Sequence, residues 1–325
     1  MQTATLGATG LEVTPLAYGT WQFGGDWGRV DERAAIEAIG HARSLGINFF
    51  DTAQAYGFGR SERLLGAALA GELRSDRESV VIATKGGLRI DGENLVRDAS
   101  PGWLRKGAEA SLEALGTDYI DLYQVHWPDP QTPISETAGA LADLVREGLI
   151  RHVGVSNYTT AQIEQFAAVL PVETIQPPYH LFRRGAETGL LPYAAGHHIG
   201  VLAYGPLAHG LLSGAITATT TFGPGDWRAH SPAFSGDGFT RNLQVVAALR
   251  AFAAARGATI GQLAVAWVLA HPAVQVAIVG ARTPAHLAET LGALDLTLSR
   301  ADLAEIDTIT AAAVPVGGPT PEGMS

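Results

Sequence analysis

Residues 47–73, INFFDTAQAYGFGRSERLLGAALAGEL, decide the fold. INFF is an apolar run too short for a helix and suits a buried strand. A polar stretch with glycines follows, and from Ser61 the pattern turns helical. The same alternation recurs along the chain. Strand-like runs occupy 13–18, 47–50, 79–84, 120–126, 150–156, 173–176, 199–204 and 274–280. Helical stretches fall at 33–45, 61–73, 102–115, 135–147, 160–169, 185–197, 241–256, 259–271 and 284–293. Asp31, Ser61, Ser100 before Pro101 and Thr283 before Pro284 supply helix starts. Strand-then-helix repeated eight times predicts the α/β class and a closed (β/α)8 TIM barrel.

A bare barrel takes roughly 250 residues, fewer than the 325 present. The surplus reads as a leading β-hairpin at 3–14 turning at Ala8-Thr9-Gly10, a lid-like loop at 213–239 and extra C-terminal helices. Residues 313–325 read as a flexible tail. No linker divides the chain, so residues 1–325 are expected to form a single domain.

Lys and Arg total 22 against 32 Asp and Glu, a net charge of −10. That balance disfavours nucleic acid and polybasic membrane contacts. Without cysteine there is no disulfide, thiolate metal site or cysteine nucleophile. The most apolar stretch, near 245–280, is interrupted by Arg250, Arg256, Gly257, His271 and Pro272, too often for a membrane span. The opening MQTATLGATGLE lacks the basic start and apolar run of a signal peptide, so a cytoplasmic protein is expected. Nothing reads as a coiled coil, and a monomer is the default expectation.

In such barrels chemistry sits at the C-terminal ends of the strands. Those positions hold Gly19-Thr20-Trp21, Asp51, Lys85, His126, Ser156-Asn157, Gln176, Tyr204-Gly205-Pro206 and Gly280-Ala281-Arg282. Tyr56 shares a loop with Asp51. A lysine at a barrel mouth demands a counter-charge, and Asp51 supplies it. The ammonium favours a phenolate, tuning Tyr56 to donate a proton near neutral pH. His126 adds a hydrogen bond to the same oxygen. Together these groups suit protonation of a carbonyl oxygen while hydride adds to its carbon, and hydride requires a nicotinamide cofactor. Each group alone has a plainer explanation: a structural ion pair for Asp51 and Lys85, a core histidine, a rim tyrosine. Trp21 and Phe23, with Trp127 beside His126, suit an apolar or aromatic small-molecule carbonyl substrate. Trp227 and Phe239 lie in or near the long loop. His197-His198 lacks a third ligand, so no metal is expected.

The segments GINFFDTAQAYGFGRSERLLGAAL, VVIATKGG, DYIDLYQVHWPD, GVSNY, IQPPY, AYGPLAHGLLSG and GARTPAHLAETLGA run in that order. On these motifs the chain resembles the aldo-keto reductases, over roughly residues 5–310. The resemblance implies a (β/α)8 barrel that binds NADPH without a Rossmann motif, and a catalytic tetrad of Asp51, Tyr56, Lys85 and His126. It further implies that Ser156, Asn157 and Gln176 hold the nicotinamide carboxamide and that Tyr204 stacks on the ring. Gly19, Thr20 and Trp21 would border the cofactor. Backbone amides from Gly205, Leu207, Gly210 and Leu211, in a turn that includes Pro206, would cradle the diphosphate. Gly280, Arg282 and Glu289 would meet the adenosine end. Three positions depart from the family pattern: Gly205 replaces a common Ser, His209 a common Arg or Lys, and Thr290 a common Asn. NADPH is the expected cofactor, because Arg282 matches its extra phosphate; the departures also admit NADH.

Two other classes stay open. Potassium-channel β subunits resemble the same family and bind NADPH while partnering another protein, which makes a regulatory NADPH-binding protein the alternative. A metal-dependent hydrolase could use the same barrel, but only Asp51 and His126 offer ligands and Lys85 between them repels a cation.

Overall fold

The computed structural model describes residues 1–25, 30–223, 226–281 and 283–323. The chain starts with an antiparallel hairpin, β1 (Ala4–Thr5) and β2 (Glu12–Val13). Eight parallel strands then close a barrel. In chain order they are β3 (Leu16–Gly19), β4 (Phe49–Asp51), β5 (Val81–Gly86), β8 (Ile120–Val125), β9 (Ile150–Ser156), β10 (Thr174–Gln176), β11 (Gly200–Tyr204) and β12 (Val276–Val279). A second hairpin, β6 (Leu88–Asp91) with β7 (Asn94–Arg97), follows β5. The helices are α1 (Glu32–Ser44), α2 (Arg60–Ala68), α3 (Ala70–Ser75), α4 (Pro101–Leu115), α5 (Ile134–Arg146) and α6 (Thr160–Ala167). They continue as α7 (Leu190–Gly196), α8 (Gly236–Ala254), α9 (Ile260–Leu269), α10 (Pro284–Leu291) and α11 (Arg300–Thr310). The expected (β/α)8 barrel with a leading hairpin and added C-terminal helix is thus observed.

The period-two alternation of strands divides the core in two. Phe49, Val81, Ala83, Leu122 and Leu202 fill the barrel interior. Phe50, Ile82, Tyr123 and Ala203 face outward against the helices. Continuing the inward series along each strand brings Asp51, Lys85, Gln124 and Tyr204 to the interior at its C-terminal end. The leading hairpin plugs the opposite end with Leu6 and Val13, both fully buried. Gly7 makes that plug possible: its φ is +53°, and a Cβ there would lie 2.2 Å from Gly200 N.

Several expected boundaries shift. The helix expected over 61–73 breaks at Leu69 into α2 and α3. The one expected over 185–197 is interrupted at Gly189, leaving a short 3-10 turn before α7. α8 begins at Gly236, inside the segment 213–239 expected as a lid-like loop, which also holds a 3-10 turn at Trp227–His230. Residues 314–322 differ most from the expected flexible tail. Val316 is fully buried and its N–H donates to Phe182 O at 3.0 Å. The Asn242 amide clasps Val314 from both sides, at 3.1 and 2.8 Å, and Arg97 pairs with Glu322. Two valines and a buried amide partner give this segment something to hold.

Candidate active site

The strand ends open into one cleft of about 530 Å³. Asp51 ends β4, and Lys85 lies one strand over on β5. With 1% of its side chain exposed, Lys85 would be untenable alone; its Nζ donates to Asp51 Oδ1 at 2.6 Å and to Thr52 O at 2.8 Å. Burial lowers the Lys85 pKa, while Asp51 and the buried Glu62 oppose that shift. The other Asp51 oxygen accepts from Gln176 Nε2 at 2.9 Å.

Tyr56 stands in the loop after β4. Its backbone meets the loop after β3, where glycines allow the contact: a Cβ on Gly57 would lie 2.4 Å from Gly24 O. The Lys85 ammonium is 5.3 Å from the centroid of the Tyr56 ring. The His126 ring meets Tyr56 edge-on with centroids 5.7 Å apart, and Trp21 stacks on Tyr56 at 6.3 Å. Burial, then the Lys85 charge, push the His126 pKa well below its ordinary value, so the imidazole is neutral at pH 7. Its Nδ1 is buried with no hydrogen-bond partner among the described residues. An orphaned acceptor is less costly than an orphaned N–H donor, which puts the proton on Nε2.

Next to this group, Asn157 Nδ2 donates to His126 O (3.1 Å), and Tyr204 OH donates to Asn157 Oδ1 (2.9 Å). Ser156 Oγ donates to Gln176 O (2.8 Å). Burial raises the Tyr204 pKa to about 12, so it remains a phenol. Gln176 Oε1 makes no hydrogen bond among the described residues and lines the cleft with Asn157 and Ser156, an acceptor suited to an amide N–H. Beyond Tyr204 the backbone turns left-handed repeatedly, with φ of +70° at Gly205, +48° at Ala208, +55° at His209 and +95° at Gly210. Two adjacent non-glycine residues in that region cost about 1–2 kcal/mol each. Strain of this kind, lining a cleft, marks a turn built for something. The amides of Ala208, Gly210, Leu211 and Leu212 close the turn internally. Those of Leu207 and His209 donate to no acceptor among the described residues, a concave pair suited to an anion.

Most of the expected site residues come together. Gly19, Thr20, Trp21, Asp51, Tyr56, His126, Trp127, Ser156, Asn157, Gln176, Tyr204, Gly205, Pro206, Leu207, Gly210 and Gly280 all line the cleft, with Lys85 directly behind. Four do not. Phe23 is buried against Tyr18 in the core, because the 3-10 turn Trp21–Phe23 sends its third residue inward. Leu211 packs into the same core. Glu289 is exposed on α10, and its carbonyl accepts from Gln262 Nε2. Arg282 lies outside the described residues. Strand-end reasoning missed the outer wall: Leu88, Ile90 and Leu95 from the β6–β7 hairpin, Pro319 and Pro321 from the tail, and Phe58. No helix among the described residues is long and apolar enough to cross a membrane, and no group of three potential metal ligands occurs among them.

Residues 15–311 match the sequence profile of the Aldo/keto reductase family. The chain belongs to the aldo/keto reductase family. Its relatives include Aldo-keto reductase YhdN of Bacillus subtilis, 42% identical over 95% of this chain and 93% of the relative. The NADH-specific methylglyoxal reductase of Escherichia coli is 34% identical over 93% of this chain and 96% of its own. Among solved structures, a glycerol dehydrogenase from Gluconobacter oxydans superposes with a TM-score of 0.87 at 39% identity, covering 95% of each chain. Membership of this aldo/keto reductase family makes the chain an oxidoreductase.

Proposed function

We propose that the protein reduces neutral, apolar or aromatic aldehydes and ketones to alcohols, reversibly, with NADPH as the preferred dinucleotide and NADH admitted. What carries this reading is the cluster at the barrel mouth: a buried ammonium clasped by Asp51 and a neutral imidazole, both packed close to the Tyr56 ring. When bound, a nicotinamide dinucleotide would supply hydride to the carbonyl carbon. The free Gln176 acceptor, the Ser156–Asn157 pair and the left-handed turn after Tyr204 fit that cofactor. Ser156, Asn157 and Gln176 would hold the carboxamide, Tyr204 would stack, and the turn amides would meet phosphate oxygens.

Tyr56 gives its proton to the carbonyl oxygen as negative charge builds there. The Lys85 ammonium stabilises the phenolate left behind, and Asp51 keeps that ammonium in place. His126 donates from Nε2 to the same oxygen without changing its own charge. Trp21, Phe58, Trp127, Leu88, Ile90 and Leu95 exclude water and favour an apolar substituent. Thr290 donates its hydroxyl to His286 O, within its own helix, consistent with a loosened grip on adenine. Tyr56→Phe tests the acid. Turnover of an aromatic aldehyde should fall about 10²–10⁴-fold, with dinucleotide affinity little changed. A variant keeping wild-type turnover would remove Tyr56 from the mechanism.

A further inference from the structure

The turn that fits a diphosphate is short of positive charge within itself. His209 is held neutral, its pKa lowered to about 4 by burial and by the neighbouring guanidiniums. Arg228 is committed to Asp226 through several bonds, the shortest 2.6 Å. Arg183 is different. It lies in the loop after β10, beside the turn, and its guanidinium makes no salt bridge or side-chain hydrogen bond among the described residues, although it is partly buried. A half-buried, unpaired guanidinium is costly unless an anion joins it.

Its surroundings point the same way. Gly318 of the tail separates Arg183 from the cleft: a Cβ there would lie 3.0 Å from His209 Cε1 and Nε2, and 3.8 Å from Arg183 Nη1. Gly318 and His209 both belong to the cleft wall. Gly318 thus packs against both the His209 ring and the Arg183 guanidinium, with no side chain of its own between them. Nearby, His180 Nδ1 accepts from Phe182 N–H at 3.3 Å, so its proton is on Nε2, which is buried without a partner among the described residues. The ring centroids of His180 and His209 are 6.3 Å apart.

We propose that Arg183, reaching past Gly318, is the cationic residue of a phosphate subsite that takes the diphosphate of the nicotinamide dinucleotide. The assignment rests on the dinucleotide-dependent function proposed above. A charge-assisted hydrogen bond to phosphate makes Arg183→Gln bind about tenfold more weakly. The measurement is fluorescence titration of the full-length protein with NADPH and, separately, NADH. Expected are equal losses for the two dinucleotides, a shallower salt dependence of affinity, near-complete rescue by Arg183→Lys and a melting temperature no lower than wild type. Affinities of Arg183→Gln within twofold of wild type for both dinucleotides would overturn the assignment alone. So would a loss confined to NADPH, which would place the adenosine 2′-phosphate at Arg183. Wild-type protein that binds neither dinucleotide would overturn the functional reading and this assignment with it.

Discussion

Replacing Asp51 by Asn leaves the shape of the site intact and removes the charge that stabilises Lys85. The buried ammonium then keeps only Thr52 O and an amide oxygen as acceptors. Breaking one side of a buried ion pair costs about 3–5 kcal/mol. The alternative is to release the proton. At pH 7, for a group whose ordinary value is near 10.4, that costs about 4–5 kcal/mol. Both routes give a deficit of about 3–5 kcal/mol in unfolding free energy. The two differ in pH dependence. Burial already lowers the Lys85 pKa, and the substitution lowers it further. Between the folded and unfolded values the unfolded chain binds the extra proton, so stability of the variant rises with pH. Near pH 9.5 the deprotonation cost shrinks to about 1 kcal/mol. Urea denaturation, followed by tryptophan fluorescence and circular dichroism, measures the deficit at both pH values. A deficit below about 1 kcal/mol at pH 7 would refute the dependence of Lys85 on Asp51, and one unchanged at pH 9.5 would show that the ammonium keeps its proton.

His126, His180 and His209 all have lowered pKa values, with burial the first cause in each. Below the ordinary value near 6.5 the unfolded chain takes up protons that the folded chain refuses. Their contribution is therefore complete above that pH and declines as pH falls, by up to about 1.4 kcal/mol per pH unit for each imidazole. Unfolding free energies at pH 7 and pH 5 should differ less in His180→Gln than in wild type; an equal difference would show that His180 titrates normally. Trp127→Ala should raise KM for an aromatic aldehyde several-fold with little change in stability. Phe23→Ala should instead cost about 3–5 kcal/mol of stability and leave relative KM values across a substrate panel unchanged. Steady-state kinetics beside thermal melts check this pair, and a specific KM effect at Phe23 would return it to the substrate wall.

The barrel and its inner chemistry were legible because both follow from short-range periodicity. Strand alternation sends Asp51 inward after Phe49, and Lys85 inward after Val81 and Ala83. The outer wall was not, for local reasons. LRIDGENLVR carries too many charges to read as an apolar strand pair, although its two-residue turn Gly92-Glu93, with Gly92 at φ +65°, is a hairpin signal in itself. Val314 and Val316 are two apolar residues among prolines and glycines, and their partners, Asn242 and Phe182, are remote in sequence. Phe23 illustrates the converse: strand-end position predicts nearness to the cleft, while the 3-10 turn decides which residues of the loop face it. Arg183 had no sequence signal, since its lack of a partner among the described residues is visible only once the loop is folded.

The hairpin after β5 carries a consequence for how this protein can change. Its ladder runs through four residue pairs, from Leu88↔Arg97 to Asp91↔Asn94. It is fastened at its base by Trp103 Nε1 donating to Leu88 O and by the Arg89–Asp98 pair. None of these ties involves the side chains of Ile90 or Leu95, which face the cleft, and Ile90 is 56% exposed. Replacing them alters neither the barrel interior nor the hairpin's own anchorage. Selectivity can therefore drift through these positions by near-neutral steps while the chemistry stays under strict constraint. The molecule divides into a tightly constrained engine and an exchangeable mouthpiece, and a library restricted to the hairpin tip explores the second without endangering the first.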